Sequence, residues 1–233
     1  MNKMDEKEIR TTIERYNKRY KEFGYSPKTL GWLKGKQDIR FDILTSLYNC
    51  ENKTILDIGC GFGDLNKTLR QKTQAYQYIG CDLCENLIKE GRELYPDAHF
   101  YIGDFLKINI MENVDWCIAS GPFNHKFEKE DNYDFIKSVM KKAYEISKDG
   151  FSFDFISDKV DYKDEHIFYA TPEKILSFVY ELSRNVVLRS DYMPFEFSIF
   201  VFKDDSFEKS DTIFKKYKND RNIWHISTPN HRF

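Results

Sequence analysis

Apolar residues recur at helical spacing over 5–23, with Ile9, Ile13, Tyr16, Tyr20 and Phe23 on one stripe, and Gly24 with Ser26-Pro27 breaks the helix. A second helix is predicted over 37–48, burying Ile39, Ile43, Leu44 and Leu47. Short aliphatic or β-branched runs then alternate with helical spacing: strands at 54–58, 77–81, 99–102, 114–119 and 151–156, helices at 63–71, 84–94, 105–110, 131–147 and 172–182. Ile136, Val139, Met140, Ala143 and Ile146 mark one helix; Thr171-Pro172-Glu173 opens the last with proline in its first turn. Five such repeats predict an α/β fold, a parallel sheet with helices on both faces. Strands at 185–190 and 196–203 are too close in sequence for a crossover helix, so they are expected as an antiparallel pair. Residues 204–233 are polar with scattered aromatics, read as a short helix near 207–217 and an irregular tail. The expected organisation is one domain over 1–233: an N-terminal helical cap at 1–50, a core at 51–203 and an extension at 204–233.

Composition narrows the partners. The chain has 233 residues, enough for one α/β domain with a sizeable core. Basic and acidic residues nearly balance, 36 against 38, for a net charge of −2. No basic block supports a nucleic-acid partner. No apolar run approaches the roughly 20 residues that cross a bilayer, and the charged start MNKMDEKEIR lacks a signal-peptide core. A cytoplasmic protein is expected, monomer or homodimer. Cysteines at 50, 60, 81, 84 and 117 fall where small buried hydrophobes usually sit. The pair Cys81 and Cys84 has no second ligand pair at zinc-binding spacing, so no metal site is expected.

The chemistry concentrates at 54–65, TILDIGCGFGDL. A strand ends at Asp57 and opens into alternate glycines, Gly59, Gly61 and Gly63, a turn too tight for side chains. The next strand ends at Asp82, 19 residues beyond Gly63, where a carboxylate can meet ribose hydroxyls. Dinucleotide folds use G-x-G-x-x-G with a helix N-terminus facing pyrophosphate. Here the pattern is D-x-G-x-G-x-G with Asp64 following. Negative charge there repels phosphate and suits a ligand carrying ammonium and sulfonium. On these residues the chain resembles the class I S-adenosylmethionine-dependent methyltransferases, which implies a Rossmann-like sheet of five parallel βα units plus the antiparallel pair.

The resemblance implies further roles. Gly59, Cys60, Gly61 and Gly63 would border the methionine end of S-adenosylmethionine, and Asp82 with Leu83 the ribose. Gly103, Asp104 and Phe105 would meet the adenine, and Ser120 would begin the turn bordering cofactor and acceptor. Gln37 and Arg40 lie where this layout often places a contact to the methionine carboxylate. Methyl transfer is a one-step displacement, so the protein mainly aligns acceptor, methyl carbon and sulfur. An oxygen acceptor also calls for a base. His125 is the leading candidate, with Asn124 as an orienting group and Asp154 as an acid within an apolar strand. The long segment 157–170, with Asp164 and His166, reads either as a substrate wall or as a solvated excursion. Tyr192 and Glu196 read as structural.

The acceptor is less marked. Ser120-Gly121-Pro122-Phe123 departs from the Asn/Asp-Pro-Pro-Tyr/Phe turn of base-modifying amino-methyltransferases. Gly31-Trp32, the spacing of Gln37 to Arg40-Phe41, and YMPFEFSI resemble bacterial enzymes of surface-sugar and secondary-metabolite clusters. A small hydroxylated or phosphorylated acceptor is therefore expected, including sugars or phosphoramidates of capsule polysaccharide. The alternatives are N-methylation of a nucleic-acid base or protein, and a non-catalytic subunit that binds the cofactor.

Overall fold

A computed structural model describes residues 5–32, 36–129, 131–210 and 212–218. The tail expected beyond 218 lies outside these residues. Seven strands form one sheet: β1 (Lys53–Ile58), β2 (Tyr76–Asp82), β3 (His99–Ile102), β4 (Val114–Ala119), β5 (Ser147–Ile156), β6 (Val186–Arg189) and β7 (Glu196–Phe202). Their order is β3-β2-β1-β4-β5-β7-β6. The first five pair in parallel, and β7 runs antiparallel to both β5 and β6, as the short connection requires. The chain winds outward from β1 to β3 and then outward on the other side from β4. Its topological switch therefore lies between β1 and β4, where open α/β sheets place their ligands.

Strand alternation splits the core between the two faces. Leu56, Cys117, Phe151, Phe153, Phe155, Phe197 and Ile199 face α5 (Asn132–Ile146) and α6 (Pro172–Val179) through Ile136, Val139, Met140 and Phe178. Ile55, Tyr78, Trp116, Ile118 and Phe200 face α2 (Gln37–Leu44), α3 (Leu65–Lys72) and α4 (Glu85–Leu94) through Phe41, Leu44, Leu65 and Ile88. Ser152, on that second face, accepts from Trp116 Nε1 at 3.0 Å and donates to the Leu44 carbonyl at 2.7 Å. It thereby fixes α2 to the sheet. All five cysteines are buried and free. No described helix is long and apolar enough to cross a membrane.

The N-terminal stripe seats a helix across the sheet's carboxyl end. In α1 (Glu6–Phe23), Ile13, Tyr16 and Tyr20 pack with Leu30 against Phe62, Cys84 and Leu87 of the first turn and α4. Asp5 caps α1, accepting from Lys7 N, and Tyr20 Oη donates to Glu90 at 2.5 Å. Phe23, at the end of the stripe, is exposed.

Four expectations are corrected. The second helix ends at Leu44, where Thr45 Oγ1 takes the Phe41 carbonyl, and it buries Arg40, Phe41 and Leu44 while Ile39 and Leu47 stay exposed. Residues 105–107 form a turn and 108–110 no regular element, with Lys142 Nζ binding the Phe105 and Ile108 carbonyls at 2.5 and 2.6 Å. β5 begins four residues early, at Ser147. The C-terminal helix is only α7 (Lys215–Lys218), and Phe207 instead bridges Phe214 as extended chain.

Candidate active site

A cavity of about 690 Å³ opens at the carboxyl ends of β1, β2 and β4, within the size range of small-molecule sites. One wall is the strand-tip set that the sequence marked: Asp57, Gly59, Cys60, Gly61, Asp82, Leu83, Gly103, Asp104 and Phe105, with Gln37 beside them. The facing wall carries Asn124 and His125 of the turn after β4, Thr12, Arg15, Tyr16 and Arg19 of α1, and Asp164, His166 and Ile167.

The glycine turn is shaped for close approach. Gly59 and Gly61 have φ of +72° and +56°. A Cβ at Gly61 would lie 2.8 Å from Leu30, and one at Gly59 3.0 Å from Pro122. The turn is held from beneath by Asp82, whose Oδ2 accepts from Gly61 N–H at 2.9 Å and whose Oδ1 accepts from Cys84 N–H at 2.8 Å. Burial raises the Asp82 pKa above its ordinary value. Asp57 is buried and accepts from Tyr78 Oη at 2.7 Å, and burial pushes its carboxyl up to about 7. Asp104 Oδ1 caps Leu106 N–H at 2.9 Å, while its buried Oδ2 has no hydrogen-bond partner among the described residues.

These features fit S-adenosylmethionine. The turn leaves room for backbone to meet the methionine end, and Asp82 retains lone pairs for ribose hydroxyls. Asp104 Oδ2, with Lys107 Nζ no closer than 3.9 Å, keeps its lone pairs for a hydrogen-bond donor such as an adenine amino group. No group of three or more His, Cys, Asp or Glu side chains could hold a metal among the described residues.

Four expected site residues stand back from the cavity. Gly63 packs under the turn, where a Cβ would lie 2.9 Å from Phe100. Arg40 stacks 4.2 Å from the centre of the Trp32 ring and pairs twice with Glu196, once through Nε at 2.7 Å. Its guanidinium is thus taken, so it braces β7 against α2 rather than reaching a cofactor carboxylate. Ser120 Oγ donates to Asp154 Oδ2 at 2.6 Å, and Gly121 N–H donates to Asp154 Oδ1 at 2.8 Å. Burial, with Glu196 nearby, pushes Asp154 up to about 7. With both oxygens bonded to the turn after β4, Asp154 holds that turn and stands outside the cavity where a catalytic candidate would have to lie. Tyr192 bonds Ser198, so it is structural, as is Glu196.

His125 does reach the cavity, but both ring nitrogens face α1. Arg15 Nη1 lies 2.8 Å from Nδ1, and Glu8 Oε2 lies 3.7 Å from Nε2. A guanidinium only donates, so Nδ1 is the accepting nitrogen and the ring is neutral. Burial first, then Arg15, lowers the His125 pKa. The segment 157–170 divides: residues 161–166 are exposed, while Asp164, His166 and Ile167 line the cavity, Ile167 bridges His125, and Phe168 N–H donates to the Asn124 carbonyl at 3.0 Å. Thr12, Arg15 and Arg19 escaped sequence reasoning. Their one signal was basic residues flanking Tyr16 on an otherwise packed helix face.

Comparison with known proteins agrees with this geometry. A family model described as a methyltransferase domain matches residues 55–150. A Mycobacterium tuberculosis protein described as a methyltransferase, Rv1506c, is 28% identical over 162 residues, 64% of this chain and 93% of that one. Methyltransferase 235L of Invertebrate iridescent virus 6, also so described, is 27% identical over 105 residues; the match spans 45% of this chain and only 40% of that relative. Among solved structures, magnesium protoporphyrin IX methyltransferase from Synechocystis, crystallised with S-adenosylhomocysteine, shares the fold with a TM-score of 0.58, 13% identity and coverage of 82% of this chain and 94% of its own. The DhpI–SAM–HEP complex does so with a TM-score of 0.58, 13% identity and coverage of 86% and 99%. Residues 55–150 match a methyltransferase domain, and the chain shares the fold of class I S-adenosylmethionine-dependent methyltransferases, solved examples of which hold S-adenosylhomocysteine or S-adenosylmethionine.

Proposed function

We propose that this protein transfers a methyl group from S-adenosylmethionine to an oxygen of a small hydroxylated or phosphorylated acceptor. The observation that carries the reading is a single cavity with a cofactor-type wall on one side and a polar, cationic wall on the other. The cofactor supplies an electrophilic sulfonium methyl. On the chain's side, the Gly59–Gly61 turn and Gln37 border the methionine end, Asp82 takes the ribose, and Asp104 with Phe105 takes the adenine. Asn124 and His125 border the acceptor. Asp154 fixes their turn through Ser120 and Gly121. His125 is neutral and accepts a proton once Arg15 leaves Nδ1. α1 roofs the cavity, which favours a small acceptor over a nucleic-acid base or a protein. Ser120 is spent on Asp154, so it is not the amine-gripping side chain of base-modifying enzymes. Sequence resemblance extends the reading to sugars and phosphoramidates of bacterial capsule polysaccharide, made in the cytoplasm.

The test is transfer of labelled methyl to a panel of nucleotide sugars, sugar phosphates and phosphoramidates, for the wild type and His125→Asn. Oxygen methylation is expected, with turnover lowered about 10²-fold or more in the variant and cofactor affinity retained. Methylation of amines only would refute the oxygen-acceptor reading.

A further inference from the structure

One face of α1 turns entirely toward the cavity: Thr12, Arg15, Tyr16 and Arg19, at spacings of three and four residues. Arg15 and Arg19 bring two permanent positive charges to a partly enclosed space. Among the described residues Arg40, Arg184 and Arg189 pair with Glu196, Asp205 and Asp191, whereas Arg10, Arg70 and Arg92, outside the cavity, have no such pair. Among the described residues no carboxylate comes within 4.0 Å of either Arg15 or Arg19. Glu8, the nearest acid on this face, approaches His125 Nε2 instead. The partners Arg15 does have are the neutral His125 ring and the Tyr16 face, 5.3 Å away.

Two polar atoms on this wall lack partners. Arg15 Nε is buried with no acceptor, and Asn124 Oδ1 is buried with no donor. A buried donor or acceptor left unmade is costly, and such sites are normally completed by a ligand or by water. The pair asks for a molecule that presents an acceptor, preferably charged, to Arg15 and a donor to Asn124.

The cofactor's own carboxylate is the competing source of negative charge, and position separates the two. A Cβ on Gly31 would lie 3.0 Å from Arg19 Nη1, and Gly31 follows Leu30, which packs on Gly61. Arg19 therefore stands at the methionine end. Arg15 is bonded to His125, on the turn after β4, and its charge also reaches Cys84, two residues past Asp82, so it stands between the ribose and acceptor ends rather than at the methionine end.

The structure assigns Arg15 and Asn124 as a selecting site for an acceptor that carries both an anionic group and a hydroxyl: a hydroxylated carboxylate, phosphate or phosphonate. The anion lies on the Arg15 guanidinium, which suits bidentate recognition of such groups, and the hydroxyl is held on Asn124 Oδ1 until its one proton passes to His125 Nδ1 as its oxygen bonds the methyl carbon. As Arg15 turns to the anion it uncovers His125 Nδ1, so the acceptor itself prepares the base. This deepens the proposed function and rests on it for what is methylated, although the anion site stands on its own geometry.

The experiment is calorimetric titration of inorganic phosphate into the full chain, with and without S-adenosylhomocysteine, for the wild type, Arg15→Gln and Arg15→Lys. S-adenosylhomocysteine and 5′-methylthioadenosine, which lacks the carboxylate, are titrated into each. Millimolar phosphate binding is expected in the wild type, weakened about tenfold or more in Arg15→Gln and less in Arg15→Lys, with S-adenosylhomocysteine affinity within about twofold throughout. Arg15→Lys keeps the charge and guards against a folding defect in Arg15→Gln. The proposal is overturned if phosphate does not bind below about 50 mM, or binds Arg15→Gln as it binds the wild type. It is equally overturned if Arg15→Gln weakens S-adenosylhomocysteine but not 5′-methylthioadenosine, for the arginine then serves the cofactor. Phosphate binding by a chain that binds no S-adenosylhomocysteine would sink the cofactor reading while the anion site survived.

Discussion

Replacing Asp82 by alanine tests the cofactor assignment at its most connected residue. In the wild type each carboxylate oxygen accepts one backbone N–H, from Gly61 at 2.9 Å and from Cys84 at 2.8 Å. A carboxylate offers about four lone-pair sites, so roughly two remain for ribose hydroxyls. Hydrogen bonds to a charged group are worth about 1.5–3 kcal/mol, and counting the ribose pair as one such unit gives a loss of about 10- to 150-fold in affinity. The same change strips two backbone N–H groups of their acceptor, costing about 1–3 kcal/mol of stability for each that stays dry. At about 2–4 °C per kcal/mol for a chain of this size, the melting temperature should fall by several degrees. The assay is calorimetric titration with S-adenosylhomocysteine, run well below the variant's melting temperature. A folded Asp82→Ala protein with affinity within about twofold of wild type would refute the reasoning, because the ribose must then be held elsewhere.

Other expectations follow from the same geometry. Arg40→Ala leaves the Glu196 carboxylate, only 12% exposed, without its partner, and should cost about 3–5 kcal/mol in urea denaturation; a loss below about 1 kcal/mol would mean the pair is dispensable. Asp154 and Asp57 are each raised to about 7, so between the ordinary carboxylate value near 4 and about 7 the folded state holds more protons than the unfolded one. Stability should therefore decline as pH rises through that window, and Asp154→Asn should flatten the decline; denaturation curves at pH 5 and pH 8 with an unchanged slope would contradict this. Hydrogen exchange across 5–30 should slow when S-adenosylhomocysteine is added, and equal exchange would make α1 a fixed brace.

The sheet was legible because each strand tip carries a local signature that tertiary context does not override. Asp57 with Gly59 and Gly61, Asp82 and Asp104 all lie where the spacing put them, on one cavity wall. What stayed hidden depends on contacts distant in sequence. The turn at 105–107 is held by Lys142, more than thirty residues on. Arg40 looked free because its partner, Glu196, lies 156 residues away. Asp154 looked catalytic because an acid in an apolar strand implies a partner but does not name it. Arg15 and Arg19 were invisible for a different reason. Charges on an amphipathic helix ordinarily meet solvent, and only the seating of α1 across the sheet turns them inward.

That seating also governs traffic. α1 contributes Thr12, Arg15, Tyr16 and Arg19 to the cavity lining, so one helix roofs the space between the strand tips and the turn after β4. The roof is fastened at several points: Tyr20 to Glu90, Asn17 to Asn86, Lys7 to Glu128 and Arg15 to His125. Beyond it comes Gly24, at φ +58° with open space around its Cα, a natural pivot. A molecule built this way cannot exchange what fills either part of the cavity without loosening the same helix, so occupancy of one part is mechanically linked to occupancy of the other.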